Sequence, residues 1–390
     1  MVASPSPAFE FATAGRIIFG RGAAGQAGDH LRAFGARTHI VVGRETTRHA
    51  SRLEALRQAG FSLEVLSVPG EPTVDIVRHG VELARRGKVE LVLGLGGGSS
   101  LDAAKAIAIL TTHPGDVPDY LEVIGGGKPF DRPGLPMVAI PTTAGTGTEV
   151  TRNSVLASPE HGVKVSLRSP FLLPRLAIVD PDLSSDMPPG LTARVGLDAL
   201  TQLIEPFVSI RANPLTNAVC REGLRLVAWA LRRAYHNGSD AEARESMAVA
   251  AMLSGMALAN AGLGAVHGLA GPIGGIVPAP HGSICAALLP HGMEVNLRAL
   301  RARSPEDEAL SRYAELGPLL TGRQDATAEE AVAWVAALVA ELAIPRLSTF
   351  GLTSEMVPTI VQRGAVASST RGNPISLTEN ELTEIVTGAL

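Results

Sequence analysis

The amino-acid pattern of this 390-residue chain changes near residue 188, and this change constrains the fold more than any other feature. Before it, short apolar runs alternate with segments of helical periodicity. The predicted strands cover 38–43, 61–68, 90–95 and 135–140, and the predicted helices cover 51–59, 74–86 and 101–110. Because alternating strands and helices require crossover connections, this part is predicted to be an α/β domain with a doubly wound parallel sheet.

After residue 188 the β-branched runs disappear, and long segments rich in Ala, Leu, Glu and Arg take their place. These segments predict helices at 191–210, 214–235, 241–261, 329–342 and 379–390. The chain is also longer than the roughly 250–300 residues at which a single core stops growing. Proline and glycine punctuate residues 180–190, so we expect an α/β domain at 1–187 and an all-α domain at 188–390.

Composition excludes several classes of protein. Lys and Arg total 34 against 38 Asp and Glu, a net charge of −4, which argues against a nucleic-acid-binding protein. The chain has 45% hydrophobic and 18% charged residues, typical of a large folded core. Its only cysteines are Cys220 and Cys285, which exclude a disulfide framework and favour a cytoplasmic location. The first residues lack the features of a secretory signal.

One long segment raises the question of a membrane span. Residues 246–293 contain no Asp, Glu, Lys or Arg. A spanning helix needs about 20 consecutive apolar residues, but Asn260, many glycines, four prolines and histidines interrupt this segment. We therefore expect no membrane association, and a buried helix followed by a functional loop.

Two loops follow predicted strands and have the composition of ligand-binding loops. Gly97, Gly98 and Ser99 lie between a strand and a helix, where free backbone N–H groups form an anion site suited to a pyrophosphate. The segment matches neither the dinucleotide-binding fingerprint nor the Walker loop, so a glycine turn without a ligand stays an alternative. The second loop, 141–150, is rich in threonine. Two such loops at strand ends favour a dinucleotide site.

Polar residues in the second part indicate a possible metal site. Asp198 and Gln202 are four residues apart in a predicted helix and share one face, with Glu205 close by, although ordinary helix polarity explains this pair equally well. His267 and His281 lie 14 residues apart in the uncharged segment. Neutral imidazole is a common metal ligand. A single histidine there is more often a core residue, whereas two of them favour a metal site, with His291 either a third member or structural.

Taken together, these motifs resemble those of the iron-containing (group III) alcohol dehydrogenases. The matching segments are 15–20, 96–99, 141–150, 180–181, 196–200, 213–214, 267–281 and 372–374. The resemblance implies an N-terminal dinucleotide-binding domain and a helical C-terminal domain, an architecture similar to that of dehydroquinate synthase. It also implies metal-assisted hydride transfer between an alcohol and an aldehyde or ketone in the interdomain cleft, with NAD or NADP, and a homodimer.

The resemblance also assigns residues. The family's divalent metal, Fe²⁺ or sometimes Zn²⁺, is held by one Asp and three His, which implies catalytic and metal-binding roles for Asp198, His267 and His281. Gln202 stands at the position of the third histidine. Because an amide oxygen is a weaker donor than imidazole, we expect Gln202 to ligate weakly and the metal affinity to be low. The alternatives are that Gln202 only hydrogen-bonds a metal-bound water, or that a side chain takes the place of the metal. A further histidine that is often present in the family is replaced here by Gly271.

The expected cofactor preference follows from a third departure from the family pattern. The family's ribose-binding aspartate comes after the first strand, where this chain has Gly43 and Arg44. An acidic residue would repel a 2′-phosphate, so we expect NADP to be accepted at least comparably with NAD. The predicted cofactor contacts are Gly43, Gly97, Gly98, Ser99, Asp102, Thr142, Thr143, Thr146, Asn153 and Lys164.

Three other functions stay open on the sequence alone. Gln202 is compatible with a member that binds metal weakly or not at all and reduces another carbonyl substrate, similar to maleylacetate. It is equally compatible with a binding protein that has lost catalysis. A lyase similar to dehydroquinate synthase shares the architecture, but the helical part lacks a basic cluster for phosphate.

Overall fold

The structure, a computed structural model, describes residues 8–122, 124–161 and 163–390. These residues form two compact units. The α/β unit contains Thr13–Thr143 and Gly147–Ser185, and the helical unit contains Asp186–Leu390 together with residues 8–12 and Ala144–Thr146. The predicted order, a parallel α/β domain followed by an all-helical domain, is confirmed.

The α/β unit is built on a parallel sheet of six strands, with a separate antiparallel hairpin. The strands are β1 (Ile17–Phe19), β2 (Arg37–Gly43), β3 (Ser62–Val68), β4 (Leu91–Gly96), β5 (Met137–Pro141), β6 (Asn153–Ser158), β7 (Val163–Arg168) and β8 (Leu176–Val179). Their order in the sheet is β1-β8-β5-β4-β2-β3, and β6 pairs with β7 in the hairpin. The sequence patterns did not predict β1, β8 or the hairpin.

The central strands are apolar on both faces because helices cover the sheet. Ile40, Val41 and Val42 of β2 are completely buried, as are the apolar residues of β4. Such continuous apolar runs are typical of parallel sheets. The helices of this unit are α1 (Ala27–Leu31), α2 (Ala50–Gln58), α3 (Val74–Arg86), α4 (Gly98–Thr112) and α5 (Val117–Tyr120). The bounds of α3 are those predicted from its amphipathic pattern.

The connectivity of the sheet creates a crevice at the carboxyl ends of β2 and β4. From β2 the chain continues to β3 on one side, whereas from β4 it continues to β5 on the other side. Open α/β sheets bind ligands at such a topological switch point. The two loops singled out in the sequence follow β4 and β5, at this same edge.

The helical unit packs around α6 (Pro189–Val208), whose second half is almost completely buried. The other helices are α7 (Pro214–His236), α8 (Ala241–Ala261), α9 (Ala265–Ile276), α10 (His281–Arg303), α11 (Glu308–Thr321), α12 (Ala328–Glu341), α13 (Val357–Ala365) and α14 (Glu379–Gly388). Asn213 begins α7 with a capping box, in which its side chain accepts hydrogen bonds from the backbone of Leu215 and Thr216.

The expected functional loop between α8 and His281 is wrong over most of its length, because Ala265–Ile276 forms helix α9. Gly268 lets helix α9 pack closely against the segment that contains Thr370. A Cβ atom added to Gly268 would collide with the hydroxyl oxygen of Thr370. That hydroxyl donates a hydrogen bond to the carbonyl oxygen of Gly364 at 2.7 Å, so it is held in place.

Among the described residues, no single helix has both the length and the apolar composition needed to cross a membrane. The pair α8 and α9 meets both criteria only when the two helices are taken together across a bend of 100°.

We predict opposite effects for two glycine substitutions in the helical unit. Gly268→Ala should lower the free energy of unfolding by about 1–3 kcal/mol, because the added methyl group overpacks the contact with Thr370. Gly190→Ala, at an exposed helix position with no neighbour within 4 Å of an added Cβ, should be neutral or stabilise by up to about 1 kcal/mol. Urea unfolding measures both. Equal effects would contradict this account of α9.

Candidate metal centre and dinucleotide site

Four side chains with metal-ligating atoms converge inside the helical unit. Asp198 lies on α6, His267 on α9, and His281 and Cys285 lie one turn apart on α10. Each residue offers one ligand atom, and these four atoms all lie within 4.8 Å of one another. Asp198, His267 and Cys285 are buried, whereas the side chain of His281 is 39% exposed. The structure therefore brings together three of the four residues expected from the sequence, Asp198, His267 and His281, and adds Cys285.

Two buried polar atoms at the centre of this cluster have no hydrogen-bond partner among the described residues. They are Oδ1 of Asp198 and Nε2 of His267, which face each other at 3.5 Å. Nε2 of His281 lies 3.8 Å from the same Oδ1 atom. Because buried polar atoms are normally paired, this arrangement is typical of atoms that hold a ligand. A carboxylate and two imidazoles suit Fe²⁺ or Zn²⁺.

Glu205 fixes the orientation of His267. One carboxylate oxygen of Glu205 lies 2.6 Å from Nδ1 of His267, and the other accepts a hydrogen bond from the backbone N–H of Val266 at 2.8 Å. An acceptor at Nδ1 requires a proton on that nitrogen, so in the neutral imidazole the Nε2 lone pair is directed into the cluster. Carboxylate–histidine pairs of this kind orient metal ligands and raise their basicity.

Gln202 lies beside the cluster but is engaged in other contacts. Its amide nitrogen donates a hydrogen bond to Oδ2 of Asp198 at 3.1 Å. Its amide oxygen lies 3.3 Å from the hydroxyl of Ser254 on α8. This leaves Oδ1 as the carboxylate oxygen of Asp198 that faces the two histidines.

The charges in the cluster stabilise one another. Burial raises the pKa of Asp198, but the contacts and charges of His267 and His281 outweigh it and bring this pKa below its ordinary value. Burial likewise raises the pKa of the Cys285 thiol, and the same two histidines lower it overall. The negative charge of Cys285 in turn raises the pKa of His281. The site therefore favours the carboxylate of Asp198 and the thiolate of Cys285, the forms that bind a metal, whereas the histidines bind a metal only after losing the extra proton.

His291, which the sequence left as a possible third histidine, is not part of the cluster. It lies further along α10 and lines a separate cavity of about 480 Å³ with Glu294 and Glu384. Burial lowers the pKa of His291. His291 therefore lies in a different part of the helical unit from the metal cluster.

The predicted cofactor loops meet at one edge of the α/β unit. Thr142 donates its backbone N–H to the carbonyl oxygen of Gly96 at 2.9 Å, which joins the ends of β4 and β5. A Cβ atom added to Gly97 would lie 3.3 Å from the side chain of Thr143. Gly43 ends β2, the strand on the other side of β4. The chain thus brings Gly43, Gly97 and the two threonines to the switch point.

The helix that follows this edge begins with two of the predicted residues. Gly98 and Ser99 are the first residues of α4, where backbone N–H groups have no partners within the helix. Asp102, one turn later, has a buried carboxylate oxygen without a hydrogen-bond partner among the described residues. Burial raises the pKa of Asp102 to about 7, although the charge of nearby Lys105 opposes this shift.

The remaining predicted cofactor contacts have other partners or group with the helical unit. Asn153 begins β6, and its carbonyl oxygen accepts a hydrogen bond from Lys105 at 3.1 Å. Lys164, on β7, forms an ion pair with Glu71 at 2.6 Å. Thr146 belongs to the short segment that groups with the helical unit.

Comparison with known proteins agrees with both halves of the chain. The family model for iron-containing alcohol dehydrogenase matches residues 14–181, and the model for the C-terminal part of the Fe-containing alcohol dehydrogenase family matches residues 192–390. The chain belongs to the iron-containing alcohol dehydrogenase family. This confirms the resemblance found in the sequence and makes the chain an oxidoreductase of the alcohol dehydrogenase class.

Individual relatives extend over almost the whole chain. A 1,3-propanediol dehydrogenase from Klebsiella pneumoniae is 35% identical over 387 residues, which cover 97% of each chain. An NAD-dependent methanol dehydrogenase from Bacillus methanolicus is 32% identical over 382 residues, 96% of this chain and 97% of the relative. A crystal structure of a 1,3-propanediol oxidoreductase matches with a TM-score of 0.90 and 34% identity, covering 98% of this chain and 100% of the other.

Sequence reasoning missed two neighbours of the metal centre. Glu205 was noticed only as a polar residue near Asp198, because its contact with His267 joins two helices that are distant in sequence. From the sequence alone, Cys285 indicates only that the chain has no disulfide framework and favours a reducing compartment. Its position four residues after His281 was the available signal, but it is informative only if both residues lie on one helix, and α10 was not predicted.

We predict that Glu205→Gln weakens metal binding about 10–100-fold, because it removes the charged acceptor that orients His267. The apparent dissociation constant for Zn²⁺, measured by competition with a chromophoric chelator, tests this. Glu384→Gln is the matched control, since Glu384 pairs with Arg298 outside the cluster. An unchanged affinity in the Glu205 variant would show that this contact does not support the site.

Proposed function

We propose that the chain is an NAD(P)-dependent enzyme that interconverts an alcohol and an aldehyde or ketone with the help of a divalent metal held by Asp198, His267 and His281. The observation that carries this proposal is a pair of buried atoms, Oδ1 of Asp198 and Nε2 of His267, that have no hydrogen-bond partner in the part of the chain that the structure describes. They face each other and His281. Membership of the family supplies the reaction class.

Some side chains of the cluster are proposed to hold the metal, and others orient those ligands. Asp198, His267 and His281 would hold a divalent metal, which would supply Lewis acidity to polarise a carbonyl group or lower the pKa of an alcohol. Asp198 contributes the negative charge, and Glu205 holds His267 in the tautomer that directs Nε2 inward. Gln202 occupies the second oxygen of Asp198 and so fixes the direction of the first.

The loops of the α/β unit are proposed to bind the cofactor. A nicotinamide dinucleotide provides the carbon that accepts or donates the hydride. The N-terminus of α4, with Gly98 and Ser99, suits the pyrophosphate, and the unpartnered carboxylate oxygen of Asp102 supports a ligand contact one turn further on. The relative from Bacillus methanolicus is NAD-dependent by name, which favours a nicotinamide cofactor here.

The choice between NAD and NADP is proposed to depend on the end of β2. Gly43 has no side chain to repel a 2′-phosphate, and Arg44 is exposed, with its Nε atom donating to the carbonyl oxygen of Pro69 at 2.9 Å. We therefore expect NADP to be used at least comparably with NAD. The two buried free cysteines favour a cytoplasmic enzyme, and the family resemblance favours a homodimer.

Removal of the metal should abolish activity in a reversible way. After treatment with a chelator, turnover of a primary alcohol with NAD⁺ or NADP⁺ should fall to background, and anaerobic Fe²⁺ or added Zn²⁺ should restore it. In His267→Ala the same additions should restore little, because one of the three ligands is gone. Metal content is measured in parallel. Full activity in the chelated wild type, unaffected by His267→Ala, would reject a metal-dependent reaction.

Cofactor choice should respond to a carboxylate placed at the end of β2. An added Cβ at Gly43 would lie 3.8 Å from Oγ of Ser100, an ordinary contact, so Gly43→Asp is expected to fold. Repulsion of the 2′-phosphate by about 1–2 kcal/mol should raise the ratio of kcat/KM for NAD⁺ over NADP⁺ roughly tenfold. Wild-type enzyme that uses NAD⁺ alone would overturn the NADP proposal.

A further inference from the structure

We propose that the fourth protein ligand of the metal is Sγ of Cys285, and that Gln202 is a positioning residue that holds Asp198. This inference rests on the proposed function in so far as it assumes a metal at the cluster. A soft sulfur ligand takes the place of the weak amide ligand, Gln202, that the sequence predicts. Because ligand softness affects metal preference, this change bears on which metal the chain binds.

The distances between ligand atoms are close to those around a single metal ion. Zinc–sulfur bonds are about 2.3 Å and zinc–nitrogen bonds about 2.0–2.1 Å. In a tetrahedron these lengths separate neighbouring ligand atoms by about 3.4–3.6 Å, and ligands on opposite sides of a five-coordinate ion lie about 4.3 Å apart. Sγ of Cys285 lies 3.6 Å from Nε2 of His281, and all four atoms lie within 4.8 Å of one another.

The cysteine does not stand alone as evidence for a ligand. Asp198 and His267 are each more than nine-tenths buried, and each has an atom without a hydrogen-bond partner among the described residues at this point. Cys285 is completely buried and lies one helical turn from His281, so its sulfur faces the same centre. The sulfur of Cys285 therefore adds a third donor atom to Oδ1 of Asp198 and Nε2 of His267, which have no hydrogen-bond partner among the described residues.

Gln202 is a poorer candidate for the fourth position because both ends of its amide have partners. An ionised carboxylate accepts hydrogen bonds only, so the amide nitrogen, and not the oxygen, faces Oδ2 of Asp198. The oxygen then points toward Ser254. Ligation through the oxygen would place it next to the carboxylate oxygen and would break the hydrogen bond that orients Asp198.

A sulfur ligand changes the preferred metal but leaves room for a substrate. Zinc readily combines thiolate, imidazole and carboxylate ligands, and it binds N, O and S sites more tightly than Fe²⁺. The half-exposed side chain of His281 marks the open side of the cluster, where a fifth ligand is able to approach. We therefore expect Zn²⁺ to displace Fe²⁺ at equilibrium in the wild-type protein.

Cobalt substitution tests the ligand directly, without measuring activity. The chelated wild-type protein is loaded with Co²⁺, and its absorption spectrum is recorded. The expected result is visible d–d bands together with a near-ultraviolet thiolate-to-cobalt charge-transfer band. Visible bands without the charge-transfer band would overturn the role of Cys285 and leave the proposed function intact. No cobalt binding at all would overturn both.

Three variants assign the band to one residue. Cys285→Ala should abolish it and weaken Co²⁺ affinity at least about tenfold, whereas Cys220→Ala, which changes the chain's other buried cysteine on α7, should retain it. Gln202→Ala should also retain the band. A band that persists in Cys285→Ala, or that disappears in Gln202→Ala while Cys285→Ala keeps its spectrum, would reject the assignment.

X-ray absorption at the zinc edge of the wild-type protein keeps the proposal testable if Cys285→Ala fails to fold. One sulfur scatterer at about 2.3 Å, with nitrogen and oxygen at about 2.0–2.2 Å, is the expected first shell. A first shell of nitrogen and oxygen alone would overturn the proposal.

Discussion

The contact between Glu205 and His267 is the interaction on which the candidate metal centre depends. Both side chains are buried, and the 2.6 Å contact places the proton of the imidazole on the nitrogen that faces the carboxylate. The other nitrogen is then left with a free lone pair, directed at Asp198. A buried imidazole and carboxylate without a further partner would cost free energy. A metal held at the candidate site would offset that cost, which would account for such a group in an otherwise apolar helical interior.

The two units position their candidate binding residues in different ways. In the α/β unit the parallel sheet places the ends of β2, β4 and β5 at one edge, and small residues such as Gly97 allow the loops there to approach one another. In the helical unit, α6, α9 and α10 each supply part of the metal cluster. Rigid helices hold ligand atoms at defined separations, whereas glycine loops leave backbone N–H groups available to a phosphate.

The sequence predicted the architecture because its periodic signals are local. Strand β2 and helix α3 are recognisable from their own residues, and Asp198, His267 and His281 from their types and their place in family motifs. Helix α9 was not recognisable, because its glycines read as a loop until the packing of Gly268 against Thr370 is seen. The position of Cys285 beside the two histidines was not recognisable either, because it depends on residues from other helices and on α10, which the sequence patterns do not predict.

The most direct test of the metal centre is a crystal structure of the metal-loaded protein, with anomalous diffraction recorded on both sides of the metal's absorption edge. The account predicts one strong anomalous peak about 2.0–2.2 Å from Oδ1 of Asp198 and from the Nε2 atoms of His267 and His281. A protein that takes up the metal elsewhere, with no peak among these three side chains, would contradict it.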